Sequence, residues 1–157
     1  MELDLRWLAP FELSDGRKDG LIYVLEDLNR IPDEPGIYVF ARVHGETVSP
    51  LYIGRAEALR RRIEQQLNNL RLMRGIEEAP TGYRTLHVGA LEPKKGQRFA
   101  KALSIIESAL ISTALVEGFD LINIKGTKTL VHTIASSGNR EARNWLPDNT
   151  IKLRRGA

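Results

Sequence analysis

The sequence predicts an α+β fold, and three observations lead to it. Apolar residues alternate with period two from Gly36 onward, a strand signature. Two later stretches space their apolar residues at helical intervals. A further alternating run lies between those helices, so strands and helices are interleaved. At 157 residues and 42% hydrophobic content, the chain is long enough for one ordinary core.

Residues 1–35 are polar and broken by Asp15-Gly16, Asp19-Gly20 and Pro32-Asp33-Glu34-Pro35, with one short helical candidate at 21–28. They read as an N-terminal extension packed on the core. In the strand that follows, Ile37, Val39, Ala41 and Val43 lie on one face and Tyr38, Phe40 and Arg42 on the other. His44-Gly45-Glu46 marks a turn and Leu51-Tyr52-Ile53 returns as a second strand, which makes a hairpin. Gly54 lets the chain leave the sheet. Residues 56–70 then form a helix with Leu59, Ile63, Leu67 and Leu70 as its apolar stripe. Arg74-Gly75 and Ala79-Pro80 break it, and 84–91 is a third strand carrying Leu86, Val88 and Ala90. Pro93 and Gly96 end that strand, and 97–116 is a long apolar helix stopped by Gly118. Leu121-Ile122-Asn123-Ile124 is a short buried run. The main domain is therefore 36–126. Residues 127–157 form a C-terminal extension, with a cap-like Ser136-Ser137-Gly138-Asn139 before a short helix to 144 and a basic end at Lys152, Arg154 and Arg155.

Composition removes several classes of chemistry. Cysteine is absent, so disulfides, thiol nucleophiles and thiolate zinc sites are excluded. The acidic start lacks the basic region and apolar run of a secretory signal, and the apolar stretch 102–116 contains Glu107 and is short for a bilayer. The expectation is a soluble, cytoplasmic protein with no membrane partner. The net charge of +3 is unevenly spread: residues 1–50 hold 5 basic and 10 acidic side chains, whereas 51–101 hold 11 and 5. The middle third is thus a candidate footprint for a polyanion.

Two charged residues stand out by position. Arg62 falls at the edge of the apolar stripe of its helix, where a half-desolvated guanidinium suits a phosphate or a structural ion pair. Glu107 sits among Leu103, Leu110, Ile111 and Ala114, so its carboxylate requires a cation: a divalent metal or an arginine such as Arg62. Mg²⁺ suits one carboxylate completed by waters and phosphate oxygens. His44, His87 and His132 are scattered and read as structural, and Trp7 and Trp145 read as anchors of the two extensions.

Gly36-Ile37-Tyr38 and Tyr52-Ile53-Gly54, followed by Arg62, Glu107 and Asn123, make the chain resemble the GIY-YIG nuclease superfamily over roughly residues 35 to 125. The resemblance implies a small three-stranded antiparallel sheet flanked by helices. It implies a metal-dependent endonuclease using Mg²⁺ or Mn²⁺ to hydrolyse DNA phosphodiester bonds. In that scheme Tyr38 acts on the attacking water as base or positioner, Tyr52 orients water or phosphate, and Glu107 holds the metal. Arg62 neutralises the phosphate, Asn123 supports the glutamate helix, and Arg55 stands where many members have lysine. Gln66 stands where members often have histidine or tyrosine. Arg55, Arg60, Arg61, Gln66, Lys94 and Lys95 are the expected DNA contacts. The alternative is a nucleic-acid-binding module of the same fold whose catalytic site has decayed. Target choice is left to the extensions, to a homodimer or to a partner.

Overall fold

The computed structural model describes residues 2–124, 129–134, 138–141 and 150–155. The chain divides into two compact units, residues 1–122 and 123–157. The first contains β1 (Asp4–Trp7), β2 (Phe11–Glu12), β3 (Ser14–Asp15), β4 (Tyr23–Val24), β5 (Gly36–His44), β6 (Thr47–Ala56), α1 (Leu59–Leu67), α2 (Leu70–Glu77), β7 (Tyr83–Glu92) and α3 (Phe99–Val116). In the second, β8 (Thr129–Ile134) pairs antiparallel with β9 (Thr150–Arg155), which carries the basic end. The cap-like segment before 144 and Trp145 fall largely outside the described residues, although Asn139 does accept a hydrogen bond from the Glu141 N–H at 3.0 Å.

The α+β class is observed, but the sheet has five strands rather than three. β5 pairs antiparallel with β6 on one side and β7 on the other, as the hairpin and third strand predict. The additional strands come from the N-terminal extension: β1 and β2 both pair with β7. The physical reason is that β7 would otherwise present an unpaired row of backbone groups. Leu8 N–H and Leu13 N–H continue that pairing to the carbonyls of Val88 and Arg84, each at 2.9 Å. Pro10 interrupts the run, which hides its strand character in the sequence. Trp7 pairs through its backbone while its side chain stays about half exposed, so it is not a buried anchor.

Two further expectations are corrected. Residues 21–27 are not helical, and Leu28 only opens a 3-10 turn, Leu28–Arg30: β4 pairs with β3, and the Gly16 N–H bonds the Ile22 carbonyl at 3.0 Å. These backbone groups find partners across a turn instead of within a helix. The helix over 56–70 is shorter, and a second helix follows it. Asn69 caps α2, its Oδ1 accepting from the Leu72 N–H at 3.1 Å. α3, Phe99–Val116, matches the helix expected over 97–116 except for its first two residues. At 18 residues and mean hydropathy 1.6 it is the one helix among the described residues long and apolar enough to cross a membrane. It packs against β5 and β6, with Ala102, Leu103 and Ala114 buried.

The core lies between one sheet face and the α1–α2 pair. Tyr38, Phe40, Leu86 and Val88 project toward Leu59, Ile63, Leu67, Leu72, Met73 and Ile76. Each fully buried aliphatic side chain of this kind contributes about 1.5–3 kcal/mol. Arg84, the one buried charged residue among those described, acts as a clamp. Its guanidinium donates to the carbonyls of Ile76 at 2.8 Å, Ala79 at 2.7 Å and Gly82 at 3.0 Å, holding the C-terminal end of α2 where the helix dipole is negative. α1 is fixed from the other end. Glu34 O accepts from Leu59 N–H at 3.0 Å, Asp33 Oδ1 from Arg61 N–H at 3.3 Å, and Ile31 O from Arg60 Nε at 2.7 Å.

Both tripeptide glycines are explained by close approach. Tyr38 lies directly opposite Gly54 in the β5–β6 ladder, and a Cβ at Gly54 would run into the Tyr38 ring. A Cβ at Gly36 would meet the Gly89 carbonyl oxygen and the Leu59 side chain. Gly54→Ala is therefore expected to destabilise the protein by about 1–3 kcal/mol, the usual cost of overpacking. In urea unfolding, the penalty should shrink when Tyr38→Ala is also present. An unchanged denaturation midpoint for Gly54→Ala would show that the ring does not occupy that space.

Candidate active site

Opposing residues in an antiparallel ladder share a face, so the pairs Tyr38 with Gly54 and Phe40 with Tyr52 put both phenols on one side of the sheet. The rings of Tyr38 and Tyr52 are stacked, with centroids 6.1 Å apart and planes at 25°. Phe40 meets Tyr38 edge-on at 6.0 Å. Gln66 of α1 reaches over them: its Nε2 donates to Tyr38 Oη at 2.8 Å and lies 3.5 Å from Tyr52 Oη. Gln66 is thus taken up by the phenols, where the sequence suggested a DNA contact.

Tyr38 is only 2% exposed, whereas Tyr52 is partly buried. Burial pushes the Tyr38 phenol well above its ordinary range; the Gln66 hydrogen bond and the Arg62 charge oppose this without overcoming it. Tyr38 is therefore a neutral hydroxyl near pH 7. Arg55 is not among the charges that act on it: the alternation that brings Gly54 toward Tyr38 puts Arg55, opposite Ile37, on the other face.

Between the start of α1 and the start of α3 runs a cleft of about 500 Å³, lined by Arg55, Arg61, Arg62, Gln65 and Glu57, with Ala100 and Leu103 of α3 in its wall; neither Tyr38 nor Tyr52 is among its lining residues. Three guanidiniums against one carboxylate make it an anion site by charge. Arg61 belongs to it, because the turn before α1 and the nearby start of α3 close the cleft around that flank. Arg60 is committed to the carbonyls of Ile31 and Asn29. Lys94 is engaged by Asp4 at 3.1 Å and Glu2 at 3.3 Å, and Lys95 is exposed.

Glu107 lies with its Oε1 4.0 Å from Arg55 Nε, its side chain 19% exposed. The cation that meets it is thus Arg55 rather than Arg62. Arg55 in turn lines the cleft, so the carboxylate adjoins the anion site through that arginine. Among the described residues no three His, Asp or Glu side chains group to hold a metal. The donor set fits Mg²⁺ or Mn²⁺ only as a one-carboxylate site whose remaining positions go to waters and phosphate oxygens. Asn123 sits in the turn Ile122–Ile124 and opens the second unit, so it is described apart from this site. His87 shares a hydrogen bond with Thr85 at 3.0 Å and is held below its usual range by burial, while His44 is exposed beside the hairpin turn. The side chain of His132 lies outside the described residues.

The Tyr38 shift carries a stability consequence. Its folded value is raised above the unfolded one, so the unfolded chain loses this proton first and stability falls as pH climbs past about 10. Urea unfolding between pH 8 and pH 11 should show that decline, and Tyr38→Phe should reduce it. Tyr23, also raised by burial, leaves a residual slope. An alkaline decline of equal slope in Tyr38→Phe would contradict the assignment.

Comparison with protein-family models, with curated proteins and with solved structures returns no match to this chain.

Proposed function

We propose that this chain is a GIY-YIG-type endonuclease that hydrolyses DNA phosphodiester bonds with a divalent metal. The observation that supports this reading best is the double position of Arg62. It lines the cationic cleft, and its charge acts on the Tyr38 hydroxyl. A phosphate seated on Arg62 would therefore lie within electrostatic reach of the phenol pair.

In this reading Arg61 and Arg62 hold the phosphate, and their charge grows in value as negative charge builds on its oxygens. Water attacks in line; one P–O bond forms as the opposite P–O bond breaks. Tyr52, the partly buried phenol, orients the water and passes its proton to solvent, and the leaving oxygen takes a proton from solvent. Tyr38, buried and neutral, braces Tyr52 by stacking. Glu107 would hold Mg²⁺ or Mn²⁺, which when bound supplies charge neutralisation at the phosphate. Arg55, released from Glu107, would then be free to face the DNA backbone.

A second reading is a DNA-binding module of the same fold without hydrolysis. The pairing of Glu107 with Arg55 favours it, since a carboxylate already met by arginine has less need of a metal.

Incubation of supercoiled and branched DNA with Mg²⁺ or Mn²⁺ separates the two. The nuclease reading expects cleavage by the native chain, a loss of about 10²–10³ in kcat/KM for Arg62→Ala, and cleavage abolished with binding retained for Glu107→Ala. Binding that weakens with salt but never leads to cleavage would favour the module. Equal cleavage by all three proteins would reject the nuclease. For the cleft itself, Arg61→Ala should weaken DNA binding and reduce the slope of log affinity against log salt by about one.

A further inference from the structure

Gln66 is the residue through which α1 touches both phenols, and its amide has little freedom. The constraint starts at a backbone group. Leu72 N–H can only donate, so the Asn69 oxygen that caps α2 at 3.1 Å must be the acceptor. The other end of the Asn69 amide, Nδ2, then faces Gln66 Oε1 at 3.4 Å as a donor. Gln66 must accept there with its oxygen, which leaves its NH₂ group pointing at the phenols, 2.8 Å from Tyr38 Oη and 3.5 Å from Tyr52 Oη.

We propose that Gln66 is a positioning residue that fixes the hydrogen-bond polarity of the two tyrosines: its NH₂ group faces both hydroxyls, so each keeps its own O–H for another partner. Because Tyr38 Oη receives the Gln66 N–H, its own O–H must point away from that amide. Tyr52 Oη, the phenol nearer solvent, meets the same NH₂ group at 3.5 Å, and its hydrogen is left to point outward. The polarity thus runs from the α2 cap through Asn69 and Gln66 to both phenols. A phenol that receives a hydrogen bond from behind is the better donor at its front, which suits a group that orients water or a phosphate oxygen. The charges and titratable groups that act on Tyr38 here are Tyr52 of β6 and Arg62 of α1, and neither can replace the Gln66 N–H without moving. Glutamine suits the position because it carries donor and acceptor at once and cannot be inverted by protonation. This polarity belongs to the phenol pair itself and rests on the nuclease reading only for the use to which the pair is put.

The test reads the ring ¹³Cζ resonances of the tyrosines at neutral pH, assigned with Tyr38→Phe and Tyr52→Phe. Two variants are compared with the native chain. Gln66→Met removes the donor while keeping the bulk. Asn69→Asp keeps an acceptor for the Leu72 N–H, touches neither phenol, and removes the donor that fixes the Gln66 amide. Both should move the Tyr38 and Tyr52 resonances, in the same direction in the two variants. Unmoved resonances in folded Asn69→Asp would overturn the proposal, because a glutamine that only fills space does not sense its neighbour's polarity. Should Gln66→Met fail to fold, Asn69→Asp alone decides. The resonance measurement uses no DNA, so it stands whether or not cleavage is observed.

Discussion

The register between β5 and β6 is the constraint on which the site depends. It sets Tyr38 opposite Gly54 and Phe40 opposite Tyr52, so a residue without a side chain faces the first phenol and an aromatic ring flanks the second. A slip of one residue would send each of these side chains to the other face. It would also put Arg55 where Gly54 now makes room for the Tyr38 ring. The register is held by burial on both sides of β5: Tyr38 and Phe40 on one face, Ile37 on the other, all close to fully enclosed. The aromatic cluster is therefore both core and site, and the same packing that stabilises the fold keeps the Tyr38 hydroxyl neutral.

Charge is arranged around this cluster by helix ends rather than by the sheet. α1 is pinned at its start by the backbone of 31–34 and the Asp33 carboxylate, and this fixes the outward aim of Arg61 and Arg62. The acidic N-terminal third thus takes part in building the cationic cleft. It uses Arg60 and Lys94 for its own attachment and leaves Arg55, Arg61 and Arg62 facing the opening. The basic excess of residues 51–101 is accordingly divided between structure and surface, and net charge alone overstates what is free to meet a polyanion.

Much of this was legible in the sequence because period-two and period-3.6 patterns report burial directly. The hairpin, β7, α1 and α3 follow from them, as does the shared face of Tyr38 and Phe40. β1 and β2 were not legible: a four-residue and a two-residue strand separated by Pro10 are too short to show a period, and what defines them is the open edge of β7, a long-range fact. The break at Asn69 was missed because asparagine is compatible with a helix interior and declares itself as a cap only through the Leu72 N–H. In the site, the phenols, Arg62 and Glu107 could be named from spacing, but the partner of Glu107 could not. Helical wheels place residues on their own helix and say nothing of Arg55 arriving from a strand. Gln66 read as a departure from a pattern; only its distances give it a role.

The account stands or falls on whether a phosphate in the arginine cleft is felt by the phenols. NMR titration with a short DNA carrying uncleavable phosphorothioate linkages, in Ca²⁺, reads this directly. The account predicts that the Arg62 Nε–H, the Gln66 side-chain amide and the Tyr52 ring shift together along one binding curve. Shifts confined to Lys95 and other exposed cations, with Arg62 and the two tyrosines unmoved at saturation, would contradict it.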